Sequence, residues 1–170
     1  MLRIAARRRI AGWFLAITFS AWSARAEEAG DREHALVLEI GPAAEWPLKG
    51  EPGNYGGTIA AEKEVIENWL ELELGATALG NHGRGELSLD LLFKKPFHVS
   101  PEFEFMVGAG PSFSRALDGG GSFSKSAEFA LDFMFWPSRR IGWFVEPTWS
   151  VNPATGRNSL AATGGILIGF

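Results

Sequence analysis

The chain has 170 residues, a formal net charge of −4 and no cysteine, which excludes a disulfide framework and a thiolate metal site. Its 20 acidic residues outnumber its 16 Lys and Arg residues, so nucleic acid, which requires clustered basic side chains, is not an expected partner. The length is that of one domain.

The first 26 residues have the features of a secretory signal peptide. Four arginines lie between residues 3 and 9, an apolar run covers 10–22, and Ala24-Arg25-Ala26 provides the small residues that signal peptidase recognises. The apolar run is shorter than the roughly 20 residues that a membrane-spanning helix needs. We expect cleavage after Ala26, with an uncleaved N-terminal anchor as the alternative. Cleavage removes five basic residues and no acidic one, so the mature chain has a net charge near −9.

Eight segments of alternating apolar and polar residues follow, with the period of two that marks a strand with two different faces. In chain order they are 36–40, 57–63, 70–74, 87–93, 103–109, 129–135, 143–149 and 160–170. The pattern is clearest in Leu70-Glu71-Leu72-Glu73-Leu74. No segment after the first 26 residues is long and apolar enough for a spanning helix.

Two segments leave alternatives open. Residues 60–70 are rich in helix formers and also fit a helical stripe, although the alternation that begins at Leu70 favours a strand. Pro147 lies inside the seventh predicted strand, and its missing N–H predicts a β-bulge nearby.

The links between the predicted strands fall into two classes. The odd-numbered links, 42–55, 79–85, 111–121 and 152–158, are long and rich in Gly, Pro and Asn. The even-numbered links, 64–68, 94–100 and 136–140, are shorter. Long loops at one end and tight turns at the other, with both termini at the tight end, predict an all-β, eight-stranded, antiparallel up-and-down transmembrane barrel.

The sizes of the side chains predict which face meets lipid. The apolar faces carry Leu and Phe, which would overfill the interior of an eight-stranded barrel, whereas the opposite faces carry Gly, Ala, Ser, Thr, Asp and Glu. We therefore expect the large apolar side chains to point outward, with an aromatic girdle at the strand ends formed by Trp69, Phe93, Trp136, Trp143 and Trp149. A soluble lipocalin-like barrel is the alternative.

The last residues, Gly164-Gly165-Ile166-Leu167-Ile168-Gly169-Phe170, resemble the C-terminal strand by which outer-membrane barrels are recognised for assembly. Segments 68–71 and 91–96 also look like those of exported barrel proteins. The mature chain resembles the small eight-stranded outer-membrane β-barrel superfamily over its whole length. The resemblance implies a Gram-negative outer-membrane location, contacts with outer-membrane lipid and with the barrel assembly machinery through the strand that ends at Phe170, and a monomer. Such barrels include adhesins, lipid-modifying enzymes and anchors, so the fold does not fix the function.

On these grounds we divide the chain into a signal peptide, 1–26, a periplasmic lead, 27–33, and a barrel domain, 34–170. The parity of the strands predicts an acidic lumen with few bases, namely Lys94, Arg140 and His98 near the periplasmic end. The predicted lumenal acids outside the candidate site are Glu62, Glu64, Glu86 and Glu102. The candidate binding residues in the lumen are Glu39, Glu71, Glu73, Asp90, Glu104, Glu128, Asp132 and Glu146.

Unpaired carboxylates in a low-dielectric space are costly, so they must be hydrated, share protons or hold a cation. We expect a non-enzymatic barrel with a structural or interaction role through long outer loops, and a narrow cation-selective pore or ion-binding barrel as the alternative. No cofactor is expected, and no spacing matches a calcium loop. His98-Val99-Ser100 superficially offers a His–Ser pair, but it lies in a predicted turn, so a lipid-modifying enzyme is the least favoured of the three. Gly119-Gly120-Gly121 precedes no phosphate-binding helix and indicates a flexible loop.

Overall fold

The structure is a computed structural model that describes residues 36–81, 83–117 and 123–170. The predicted signal peptide, the lead 27–33, His34, His82 and the Gly119–Gly121 cluster lie outside the described residues. Within those ranges, no helix is long and apolar enough to cross a membrane.

Eight strands make up the fold: β1 Val37–Pro47, β2 Asn54–Ile66, β3 Leu70–Asn81, β4 Arg84–Ser100, β5 Phe103–Ala116, β6 Phe123–Phe135, β7 Ile141–Asn152 and β8 Arg157–Gly169. Each strand is antiparallel to its neighbours in chain order, and β8 pairs with β1, which closes the barrel. Closure satisfies the backbone hydrogen bonds of every strand without leaving a free edge. The predicted all-β, eight-stranded, up-and-down barrel is confirmed.

Residues 60–70 form strands and a turn rather than a helix. β2 continues to Ile66, the Trp69 N–H donates to the Ile66 carbonyl over 2.9 Å, and β3 begins at Leu70. Asn68 has a φ of 54° at the turn, a left-handed conformation that Asn tolerates better than most residues. The alternation of apolar and polar residues predicts this segment correctly, whereas its helix propensity does not. Pairing between β2 and β3 stabilises the strands and outweighs the helix propensity.

The links differ less in length than the sequence predicts. At one end, here called the outer end, they cover 48–53, 82–83, 117–122 and 153–156; at the other, the inner end, they cover 67–69, 101–102 and 136–140. The prediction of long odd-numbered loops is wrong, because much of their Gly-rich sequence continues the strands. Gly80, for example, belongs to the predicted link 79–85, yet it pairs with Tyr55 in β2 and with Gly85 in β4.

Pro147 interrupts pairing without a bulge, contrary to our prediction. The β6–β7 ladder pauses between Ala130–Thr148 and Phe133–Val145 and then resumes in the same register. On the other side, Pro147 pairs in a continuous ladder with Ala162. The register shifts of the described barrel lie at its inner end, between Glu64 and Ile66 and between His98 and Ser100.

Most of the large apolar side chains point outward, as the side-chain sizes predict. Ile59, Leu74, Leu89, Phe129 and Ile166 are all about half exposed, and they belong to an apolar belt that surrounds the barrel. Trp69, Trp143 and Trp149 are exposed near strand ends, as expected for a girdle, whereas Phe93, also exposed, lies in the middle of β4. Trp136 departs from the prediction: it is 5% exposed and packs inside the inner end of the barrel.

Candidate functional site

The lumen has three layers between its two ends. An apolar plug fills the inner end, a buried cluster of charged side chains lies above it, and a polar vestibule opens at the outer end. Strand parity produces this arrangement, because every second residue of each strand points into the barrel.

The plug consists of six buried apolar side chains in contact with one another: Val37, Met106, Met134, Trp136, Phe144 and Leu167. The prediction of small and polar inward faces does not include this layer. The alternation along the strands does indicate it. In each of β5 to β8 the inward-facing positions hold acidic or small residues, and one large apolar residue stands at the same set of positions: Met106, Met134, Phe144 or Leu167. Among the described residues, these six buried side chains fill the inner end of the lumen.

Lys94 lies at the centre of the charged cluster, and its side chain is fully buried. Its Nζ lies 2.7 Å from Asp132 Oδ2, 2.7 Å from Glu146 Oε2 and 3.7 Å from Glu62 Oε2, and it also contacts Glu73 Oε2. These carboxylates come from β2, β3, β6 and β7, so one ammonium group links strands on opposite sides of the barrel. The sequence predicted Lys94 in the lumen but did not predict this role as a common counter-ion.

Glu39 on β1 completes the cluster. Its side chain is 2% exposed, and its Oε1 accepts no hydrogen bond from any described residue. One carboxylate oxygen each from Glu39, Glu62, Glu73 and Asp132 lie within 4.8 Å of one another, the spacing of a group of metal ligands. Lys94 already occupies the position between these oxygens, so a metal ion there would have to displace its ammonium group.

The cluster has more acid than base. Five carboxyl groups, those of Glu39, Glu62, Glu73, Asp132 and Glu146, surround one lysine. Such an excess of negative charge away from water is costly unless protons or cations balance it. Arg140 does not contribute, because it is exposed in the inner-end link 136–140 rather than lumenal.

The remaining predicted acids separate by depth. Glu71 and Glu104 lie near the inner end, where Glu71 pairs with Glu64 across β2 and β3 and His98 Nε2 lies 3.1 Å from Glu104 Oε1. Glu102 is exposed in the link between β4 and β5, so its predicted place in the lumen is wrong. The structure therefore brings Glu39, Glu73, Asp132 and Glu146 together, places Glu71 beside Glu62 at the edge of that group, and places Glu104 beside His98.

Asp90 and Glu128 lie in the vestibule, toward the outer end from the cluster. The vestibule is a cavity of about 780 Å³ whose wall includes Asp90, Glu128 and many Ser and Thr residues. Ser150 Oγ donates to Glu128 Oε1 over 3.3 Å. Glu39, Glu73 and Glu146 belong both to the wall of this cavity and to the charged cluster, so they form its floor. The vestibule is therefore an acidic, hydroxyl-rich well that is closed below.

His98 and Ser100 form no catalytic pair. His98 contacts Glu104, while Ser100 Oγ accepts hydrogen bonds from the backbone N–H groups of Glu102 and Phe103 over 3.3 and 3.1 Å. Ser100 therefore stabilises the tight turn between β4 and β5, which is a structural role.

No protein-family model matches the sequence, and a search of curated proteins finds no match. Solved structures do match. Neisserial surface protein A superposes with a TM-score of 0.61 at 17% identity, covering 79% of this chain and 96% of that one. The outer membrane protein OprG of Pseudomonas aeruginosa gives 0.63 at 11% identity, covering 83% and 99%. Ail, the attachment invasion locus protein of Yersinia pestis, gives 0.58 at 13% identity, covering 79% and 97%.

These identities are too low to transfer an activity, and the likeness is one of fold. It agrees with the closed ladder of eight strands and with the outward apolar belt. The chain has the fold of the small eight-stranded outer-membrane β-barrels.

Proposed function

We propose that this protein is a non-enzymatic barrel of a Gram-negative outer membrane, with a structural or interaction role and a lumen closed to conduction. The observation that carries the proposal is the layered lumen: the apolar plug and the fully buried Lys94 cluster lie across the path between the two ends. The outward apolar belt supports a membrane location, because lipid accommodates Leu and Phe that water does not.

Interaction with a partner outside the cell depends on the outer rim and the vestibule in this proposal, rather than on long loops. The fully described outer links, 48–53 and 153–156, have six residues or fewer, so they offer little surface of their own. The vestibule, in contrast, offers a cavity of about 780 Å³, within the range of small-molecule sites. We orient it toward the exterior, which places Val37 and Gly169, the ends of β1 and β8, on the periplasmic side.

The lipid-facing side of β8 supports a further part of the proposal, namely that the barrel assembly machinery recognises this strand. Ile166 and Phe170 point outward, alternating with the buried Leu167 and Gly169. This is the amphipathic strand that the sequence analysis related to assembly of outer-membrane barrels.

A narrow cation-selective pore is the second candidate, favoured by the excess of carboxylates around Lys94. It requires the plug to move, because Phe144, Met106, Met134 and Leu167 are each at most 2% exposed. The two candidates therefore differ in a measurable way.

Planar-bilayer recordings with the protein purified from outer membranes test the proposal. We expect no steady conductance from the wild type and a cation-selective conductance from the double variant Met134→Ala and Phe144→Ala, which removes much of the plug. Phe129→Ala, on the lipid face, is the matched control and is expected to stay closed. Cation-selective channels in the wild type would establish the pore instead.

A further inference from the structure

The vestibule combines an unusual charge balance with a closed floor. Eight acidic and three basic side chains line it among the described residues. One of the bases, Arg157, already has an acidic neighbour, since its Nη2 lies 3.4 Å from Glu51 Oε1 near the rim. The other two are Lys49 and Lys125, and the Lys125 Nζ lies 6.0 Å from the centroid of the Phe113 ring. All three bases lie near the outer end, so the excess of negative charge is concentrated toward the floor of the cavity, and a cation is the ligand that its field attracts.

The acids occupy two depths. Asp90 precedes Lys94 by four residues on β4, and Glu128 precedes Asp132 by four residues on β6. At about 3.3 Å per residue, each step is roughly 13 Å along the strand. Across the ladders, Asp90 pairs with Gly75, two residues toward the outer end from Glu73, and Glu128 pairs with Ser150, four residues toward the outer end from Glu146. This upper pair therefore lies roughly 7–13 Å along the strands from the floor formed by Glu39, Glu73 and Glu146.

The floor has an unused acceptor. Glu39 is 2% exposed and lines the cavity, yet its Oε1 accepts no hydrogen bond from any described residue. Leaving a buried acceptor without a hydrogen bond destabilises the folded protein. A donor that reaches the floor from the vestibule removes this destabilisation.

Lys94 shows which chemistry the lumen accommodates. Its ammonium group is held by Asp132 and Glu146 at 2.7 Å, so carboxylates of this barrel already replace the water around a primary amine. An inorganic ion fits less well, because the four clustered carboxylates meet around Lys94 and the cavity above is far larger than one ion. Ser and Thr hydroxyls along the wall, such as Ser112 and Ser150, provide further acceptors for N–H groups.

We infer that the vestibule binds small linear polyamines, with one ammonium group between Asp90 and Glu128 and another at the floor beside Glu39. The inference rests on the proposed function in one respect, namely that the vestibule faces the exterior. Binding itself is measured in detergent, where both ends are accessible, so its failure is distinguishable from a failure of the closed-lumen proposal.

Titration calorimetry with spermidine as the probe tests this inference on the protein purified from outer membranes. We expect saturable binding with one site per barrel, weakened by salt because the attraction is electrostatic. The double variant Asp90→Asn and Glu128→Gln is expected to lose at least tenfold in affinity. Glu67→Gln, which removes a carboxylate from the exposed inner-end link, is the matched control and is expected to bind like the wild type.

Three results overturn the inference: no saturable binding to the wild type, equal affinity of wild type and double variant, or magnesium binding at the same site as tightly as spermidine. If the double variant does not fold, the amide chemical shifts of the wild type, recorded with and without spermidine, test the location of the binding site. Spermidine must then shift the resonances of Asp90, Ser112 and Glu128 and leave those of the inner links 67–69 and 101–102 in place. Shifts confined to the inner links contradict the assignment.

Discussion

At the scale of single residues, strand parity predicted the inward direction of the acids but not their partners. Glu73, Asp132 and Glu146 were assigned to the lumen from alternation alone, and the structure places them there. Their convergence on Lys94 could not be predicted, because the register between strands decides which side chains meet across a barrel. Lys94 and Glu73 lie on neighbouring strands, but Asp132 and Glu146 approach from the far wall.

Replacing the central lysine tests its role as a common counter-ion. Lys94→Met removes the positive charge and leaves the surrounding carboxylates buried without it, so we expect a loss of about 3–5 kcal/mol in the free energy of unfolding. Lys63→Met is the control, because Lys63 is exposed on the outer face of β2. Urea unfolding in lipid vesicles, followed by tryptophan fluorescence, measures both. Equal stability of Lys94→Met and the wild type would show that the ammonium group is dispensable.

For Glu62, the excess of acids in the cluster predicts the opposite effect: removing its charge should not lower the free energy of unfolding. Neither of its carboxylate oxygens accepts a hydrogen bond from a described residue, and its Oε2 is the most distant of the four from Lys94 Nζ, at 3.7 Å. Glu62→Gln removes one negative charge and adds N–H donors for neighbouring carboxylates. We expect the free energy of unfolding to stay the same or rise by about 1 kcal/mol. A fall of more than that amount in the same urea assay contradicts the charge imbalance.

At the scale of strands, residue composition predicts loops at positions where pairing with neighbouring strands forms β-structure. The composition of the Gly-rich segments near the outer end predicts loops, although more than half of their residues belong to strands, chiefly β1, β3 and β5. Glycine has low strand propensity, but here it permits close approach between strands, as at Gly56 against Ala78. Alternation over five or more residues was the reliable signal, since it reflects the two environments on either side of the barrel wall.

Two adjacent residues on β4 provide a test of that alternation. Leu89 is half exposed in the apolar belt, whereas Ser88 lines the vestibule. Leu89→Arg places a charge in lipid and is expected to cost up to about 2–4 kcal/mol of folding free energy. Ser88→Arg places the same charge in the acidic vestibule and is expected to cost much less. Urea titrations in vesicles compare the two, and equal costs would mean that the faces are assigned wrongly.

At the scale of the whole molecule, the topology followed from the sequence, but the interior did not. Eight alternating segments without a spanning helix after the first 26 residues allow few closed folds, which is why the barrel was predictable. The plug was not predicted, because a count of inward Gly, Ser and Glu hides the four large apolar residues Met106, Met134, Phe144 and Leu167. Only their convergence at one depth shows that the lumen has a closed end.

The orientation of the closed end is the remaining prediction at this scale. The chain contains no cysteine, so a single introduced cysteine reports on one position without background. Glu51→Cys lies in the outer-end link 48–53, and Ser138→Cys lies in the inner-end link 136–140. We expect a membrane-impermeant maleimide to label Glu51→Cys on intact cells and to label Ser138→Cys only after the outer membrane is permeabilised. The reverse pattern would put the vestibule in the periplasm, and labelling of both on intact cells would exclude a membrane-spanning barrel. Glu51 and Ser138 are both exposed, and the contacts they make are local to the outer and inner ends: an ion pair between Glu51 and Arg157, and hydrogen bonds between Ser138 Oγ and Ile141. The labelling pattern of folded protein then decides which compartment the acidic vestibule faces.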